Sequence, residues 1–195
     1  MKGGKQMIRD LVRRNRSYRR FYEDVSVSLE TLRELVDLAR FSASAGNKQP
    51  LKYILSCDAG KNAVIFSTLA WAGYLPDWSG PSDGERPSAY IVVLKDTEIG
   101  DPFGCDHGIA AQSILLGATE KELGGCIIAS VNREKLRDEL NIHSRYEIVF
   151  VIALGNPKEI VVIETVDSSG GIEYWRDSER VHHVPKRSLD EIIVE

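Results

Sequence analysis

Ala89-Tyr90-Ile91-Val92-Val93-Leu94 is a run without a charged position. A strand wet on one face alternates apolar and polar residues, so a continuous run of this kind is covered on both faces. Ile148-Val149-Phe150-Val151-Ile152-Ala153-Leu154 repeats the pattern and is closed by Gly155-Asn156-Pro157. Between them lies Gly108-Ile109-Ala110-Ala111-Gln112-Ser113-Ile114-Leu115-Leu116-Gly117-Ala118, small or apolar nearly all round. A helix of that composition is buried on most sides, in a large core or in a subunit interface. Two doubly covered strands and such a helix predict a sheet with helices on both faces, an α+β sandwich in one domain spanning residues 1–195.

Weaker signals extend this frame in both directions. Ser28 can cap a helix whose apolar positions Leu32, Leu35, Val36 and Ala39 follow helical spacing, ending where small residues collect at Ser42–Gly46. Tyr53–Ser56 reads as a strand and Lys61–Ala70 as a helix. Asp106 can cap the apolar helix, which runs to about Leu123 and stops at Gly124-Gly125. Cys126–Ala129 reads as a strand, and Asn132 as the cap of a short helix holding Leu136 and Leu140. The tail reads as a hairpin, Ile160–Val166 and Ile172–Trp175 about a turn at Asp167–Gly171.

The 195 residues are 43% hydrophobic and 28% charged, which supports a folded core and excludes a disordered or fibrous chain. A net charge of −4 argues against general nucleic-acid binding. No apolar run reaches the ~18–20 residues of a membrane span, and Met1–Asp10 carries charge but no apolar export region. Cys57, Cys105 and Cys126 are far apart, so reduced thiols in the cytoplasm are expected and a zinc site is not. There is no GxGxxG after a strand, no GxxxxGK[ST], no GxSxG and no HExxH. His182 and His183 are adjacent, face opposite ways on a strand, and read as surface residues.

Four segments carry chemical interest. Arg13-Arg14-Asn15-Arg16-Ser17-Tyr18-Arg19-Arg20-Phe21 packs five arginines into nine residues of an acidic chain. A charge run is usually a solvated face, but a hydroxyl among guanidinium forks, ending in an aromatic, suits a phosphate monoester. Ser42-Ala43-Ser44-Ala45-Gly46-Asn47-Lys48-Gln49-Pro50 is either an ordinary helix end or a loop that lets backbone and two amides approach a heterocycle. Leu123-Gly124-Gly125-Cys126-Ile127-Ile128-Ala129 has adjacent glycines that admit a flat ring. Pro185-Lys186-Arg187 is either a surface pair or a second basic site that meets the first. Trp71–Pro87, rich in Gly and Pro, holds Trp71, Tyr74 and Trp78, which either cover a core edge or form a lid over a flat ligand.

In this order the segments resemble the nitroreductase-like superfamily of FMN-dependent NAD(P)H oxidoreductases, which includes nitroreductases, flavin reductases and related dehalogenases. Asn15–Phe21 is similar to its R-R-S-x-R-x-F opening and Ser42–Pro50 to its S-P-S-S-x-N-x-Q-P loop. Asp106, Gly108, Ala110 and Gln112 match a D-x-G-x-A-x-Q helix, and Leu123–Ala129 matches the strand after it. The resemblance implies a central mixed sheet flanked by helices in an intertwined homodimer. It implies that Arg16, Ser17 and Arg19 hold the FMN phosphate with Lys186 and Arg187. It places Ala43, Ser44, Ala45, Asn47 and Gln49 of a partner copy against the flavin, and the backbone at Ile128 and Ala129 against its N5. Three departures stand out: Asn15 where relatives carry an arginine, for which Arg20 or Arg14 could substitute; Ala43 and Ala45 for Pro and Ser; and Ala129 where some nitroreductases have Glu.

The implied activity is electron transfer from NADH or NADPH to a nitroaromatic, quinone or flavin by a ping-pong cycle, with Trp71, Tyr74 and Trp78 packing over ring or acceptor. A flavin carries the redox chemistry itself, which accounts for a sequence with no acid–base dyad or nucleophile pair. The competing expectations are a flavin-binding protein without turnover, a relative that destroys flavin or removes halide, and a colourless monomeric domain with solvated basic clusters.

Overall fold

The computed structural model describes residues 7–100, 104–166 and 170–194. In chain order the elements are α1 (Met7–Arg14), β1 (Phe21–Tyr22), α2 (Leu29–Arg40), a 3-10 turn (Ala45–Asn47), β2 (Leu51–Ser56), α3 (Ala59–Phe66), β3 (Ala89–Asp96), α4 (Asp106–Glu120), β4 (Gly124–Ile128), α5 (Arg133–Glu139), β5 (Tyr146–Pro157), β6 (Val161–Thr165), β7 (Trp175–Arg176), β8 (His182–Lys186) and α6 (Leu189–Ile192). The class is α+β, as the doubly covered strands require. No helix among the described residues is long and apolar enough to cross a membrane.

β5 is the centre of the main sheet. One of its edges carries β3 and then β2; the other pairs with β4 over Val151–Gly155 and with β1 over Asn156–Pro157. All these ladders are antiparallel, and among the described residues parallel pairing enters this sheet only at an isolated bridge from Ser17 to Gly125. Alternate residues of β3 feed two cores. Ala89, Ile91 and Val93 point to α2 and α4, where Leu32, Leu35, Ile114 and Ala118 are buried. Tyr90, Val92 and Leu94 point to the opposite face, against Ile65 of α3 and Leu136 of α5. A register shift between Val93 and Leu94 switches the parity, so Phe150, Ile152 and Leu154 line one core and Ile148, Val151 and Ala153 the other.

Local signals act where the sequence places them. Ser28 Oγ accepts the Thr31 N–H at 3.0 Å to start α2. Asp58 and Asn132 cap α3 and α5 in the same way. Asp106 does not cap α4: Cys105 holds that position, α4 ends at Glu120, and the Asp106 carboxylate turns to the Ser42–Pro50 loop instead. The predicted tail hairpin is also corrected. β6 runs parallel to β8, and β7 pairs with β8, so residues 161–186 form a separate three-stranded sheet. Asp167–Ser169 of the expected turn lie outside the described residues. His183, level with Val162, reaches Glu164 two residues on in β6 and also Asp177, and these contacts favour this pairing. Gly124 and Gly125 serve packing rather than a flat ring. A Cβ on Gly124 would lie 2.5 Å from Tyr18, and one on Gly125 2.6 Å from Leu115 and 2.8 Å from the Ala153 carbonyl.

Candidate functional site

The arginine stretch leaves α1 at Arg14 and runs along the start of β4. Ser17 bridges Gly125, and the Tyr18 N–H donates to the Gly125 carbonyl at 3.0 Å. Arg16 donates from Nη2 to the Val12 carbonyl at 2.8 Å, while its Nε is buried with no partner. Burial pulls the Arg16 pKa down from its ordinary value, the response of a guanidinium short of countercharge. Arg19 donates to the Ser17 carbonyl and to His182 Nε2, both at 3.2 Å, and lies over the Tyr174 ring. Its backbone N–H is taken by the Glu159 carboxylate.

The tail therefore does return to the arginines, by residues the sequence reading did not select. Glu159 Oε2 accepts from Arg176 at 2.9 Å, and its side chain is fully buried. His182 is buried at 1% exposure rather than lying on the surface. A guanidinium can only donate, so His182 Nε2 accepts and its proton sits on Nδ1. Burial first, then Arg19 and Arg176, hold the His182 pKa down to about 4. Lys186 closes β8, and its carbonyl accepts the Val166 N–H. Arg187 is exposed and paired with Glu191, so neither of these two cations touches Arg16 or Arg19. Arg20 and Arg14 do not replace the missing arginine at Asn15. Arg20 is locked bidentately on Glu85 at 2.7 and 2.6 Å, and Arg14 pairs with Glu122 at 3.1 Å.

From Gly125, β4 runs to Ile128 with no strand on its far edge among the described residues, and the chain leaves at Ala129. Ala129 and Ser130 are exposed. The Ala129 carbonyl is used by Val131 and Arg133, but its N–H meets no acceptor among the described residues. The Ala70 N–H donates to the Ser130 carbonyl at 2.9 Å, so the aromatic loop begins beside Ala129. Trp71 packs on Phe66 and Trp78, and Gly80 with φ +116 leaves it room, since a Cβ there would lie 2.6 Å from the indole. Tyr74 meets Tyr174 with ring centroids 5.0 Å apart, and Arg176 covers Trp78 at 4.2 Å. The loop thus spans from the Ala129 end of β4 to the tail residues that hold Arg19.

The Ser42–Pro50 loop is elsewhere. Ser44 Oγ donates to Asp106 Oδ2 at 2.5 Å, and the Ala45 N–H donates to Oδ1 at 3.0 Å. The Gln49 N–H returns to Ser44 Oγ at 2.8 Å, and its amide nitrogen donates to Asn47. Asn47 and Gln49 both have φ +52, a left-handed backbone that costs about 1 kcal/mol or more for such residues. Ala43 lines a small hollow between this loop and α4. Leu51, next in the chain, is level with Glu147 through Lys95, whereas Gly125 is level with Leu154. At ~3.3 Å per residue and ~4.8 Å per strand, that puts the loop about 23 Å along the sheet and about 19 Å across it from Ser17, which lies one bridge beyond Gly125. One mononucleotide cannot touch both stretches of the same copy.

The chain belongs to the nitroreductase family, whose model matches residues 12–76 and 83–156. It is 28% identical over 148 residues to a protein of Archaeoglobus fulgidus named as an NADH dehydrogenase/NAD(P)H nitroreductase, covering 72% of this chain and 80% of that one. Among solved structures, a protein of Desulfovibrio desulfuricans described as a nitroreductase in complex with FMN aligns with a TM-score of 0.70 at 20% identity, over 98% of this chain and 97% of that chain. The nitroreductase family protein of Streptococcus pneumoniae aligns with a TM-score of 0.69 at 19% identity, over 96% and 99%.

Proposed function

We propose that the chain is an FMN-dependent oxidoreductase of the cytoplasm, drawing electrons from NADH or NADPH and passing them to a small organic acceptor such as a nitroaromatic, quinone or flavin. The observation that carries this reading is the open edge of β4. At one end the Ser17–Gly125 bridge sets Arg16 and Arg19. Four residues on, about 13 Å at strand rise, is the free N–H of Ala129. A cationic anchor and a lone donor at that separation suit a ring carried on a phosphorylated chain. The family match and the FMN-bound relative support the same ligand.

The residues present fit such a group. The unpartnered Arg16 Nε is a donor awaiting an acceptor. Glu159 already holds the Arg19 backbone N–H, so phosphate contacts fall to the Arg16 and Arg19 side chains and to the Ser17 hydroxyl. Bound FMN would supply the hydride acceptor that no side chain here provides. Ala129 would donate to N5 through its backbone, so the lack of a Glu side chain there costs nothing. Arg176 and Tyr174, held in place by Glu159 and Tyr74, would help exclude water.

The distance between the two halves of the site has a direct reading. Ser44, Ala45, Asn47 and Gln49 would act on the ligand of a second copy, and the protein would work as a homodimer with donor and acceptor alternating in each site. Flavin absorbance in the purified protein, bleached anaerobically by NADH or NADPH and restored by an acceptor, is the expected result. A protein that saturating FMN neither binds nor colours would overturn the reading.

A further inference from the structure

A cavity of about 510 Å³ opens between the aromatic loop and the tail, lined by Arg20, Tyr74, Trp78, Glu85, Arg176 and Arg180 among others. Its walls combine flat apolar surface with guanidinium groups. Arg176 lies over the Trp78 ring at 4.2 Å, is largely buried, and has a buried Nε with no partner. Arg180 sits at φ +64 in the turn closed by its N–H to the Asp177 carbonyl. Its guanidinium has no ion-pair partner among the described residues. Glu85 is held by Arg20 at 2.6 Å and Lys158 at 3.2 Å, and Glu159 by Arg176 at 2.9 Å, which leaves Arg180 and the Arg176 Nε to meet an anion, with Asp77 exposed at the rim.

We propose that this cavity binds a small planar aromatic anion, such as an aromatic carboxylate. The ring would lie against Tyr74 and Trp78, and the anionic group between Arg176 Nε and Arg180. A guanidinium fork matches a carboxylate bidentately, and a desolvated aromatic wall selects a flat partner over a hydrated inorganic ion. Asp77–Ser82, Arg176 and Arg180 lie outside the residues that match the family pattern. The site stands on its own side chains; only the role of its occupant as electron acceptor rests on the flavin reading.

The test is calorimetric titration of the purified protein, without added FMN, using benzoate and its neutral isostere benzamide. Benzoate is expected to bind at one site and benzamide to bind at least about tenfold more weakly, the ratio one charge-assisted hydrogen bond provides. Arg180→Gln, an exposed change that leaves the Glu159 cluster intact, is expected to bring the two affinities together. Trp78→Phe is expected to weaken both ligands while keeping their ratio. Equal binding of the two ligands, no binding of either, or a ratio untouched by Arg180→Gln would each overturn the proposal. A protein that discriminates as described yet takes up no FMN would sink the flavin reading and leave this site standing.

Discussion

Arg16 and Arg19 differ in what they still have to offer. Arg16 carries a buried Nε with no partner, whereas Arg19 spends one nitrogen on Ser17 and His182 and stacks on Tyr174. Truncation of either is expected to weaken FMN binding by roughly 1.5–3 kcal/mol, the range for a hydrogen bond to a charged group. Fluorescence titration with FMN measures this, and unchanged affinity in both Arg16→Ala and Arg19→Ala would remove the phosphate assignment. His182 gives a second prediction at this scale. Its imidazole titrates near 6.5 when unfolded and at about 4 when folded. Between those values the unfolded chain binds the extra proton. Stability from this group is therefore full above pH 6.5 and is lost toward pH 4, at up to about 1.4 kcal/mol per pH unit. His183, whose pKa is raised because its protonated ring donates to Glu164 and Asp177, acts oppositely: its contribution is complete below 6.5 and fades at higher pH. Urea denaturation between pH 6.5 and 4.5 should show a slope that His182→Gln abolishes, and equal slopes in both proteins would refute the assignment. None of this was readable from the His-His pair itself, because His182 packs on Tyr174 and on Arg19, the latter 163 positions away.

Among the elements, the Ser42–Pro50 loop depends on one carboxylate of α4. Asp106→Ala would strand the Ala45 N–H and the Ser44 hydroxyl, at a cost of about 2–3 kcal/mol, and Asp106→Asn should cost less; urea midpoints decide. Gly125→Ala should cost about 1–3 kcal/mol through overpacking, since its new methyl meets the Ala153 backbone carbonyl, which cannot rotate away. These elements show where sequence reading succeeds. β3, β5 and α2 declare themselves because their apolar patterns are long and locally capped. The role of Asp106 was hidden, since an acidic residue at a helix start has a local explanation that the tertiary contact overrides. The tail was misread because alternation gives strands but not partners: only the third strand, β8, decides that β6 and β7 flank it. The arginine stretch stood out by composition, but its delivery to β4 by a single parallel bridge was not readable.

At the scale of the whole molecule, the two sets of residues proposed to bind the ligand sit at opposite corners of one sheet. The expected consequence is complementation. Mixing unfolded copies of Arg16→Ala/Arg19→Ala with copies of Asp106→Ala and refolding them together should recover part of the FMN binding that either lacks alone, because mixed dimers hold one intact site. Equilibrium sedimentation of the wild type should give a dimer; a monomer at micromolar concentration, or no recovery on mixing, would refute the shared site. The contact between Arg19 and Glu159, 140 positions apart, and that between Arg19 and His182, 163 apart, carry a different implication. A ribosome releases the arginine stretch 140 residues before the carboxylate that fixes it and 163 before the imidazole. The stretch stays cationic and unclasped while that length of chain is made, so a product terminated before Glu159 would lack both contacts that hold Arg19.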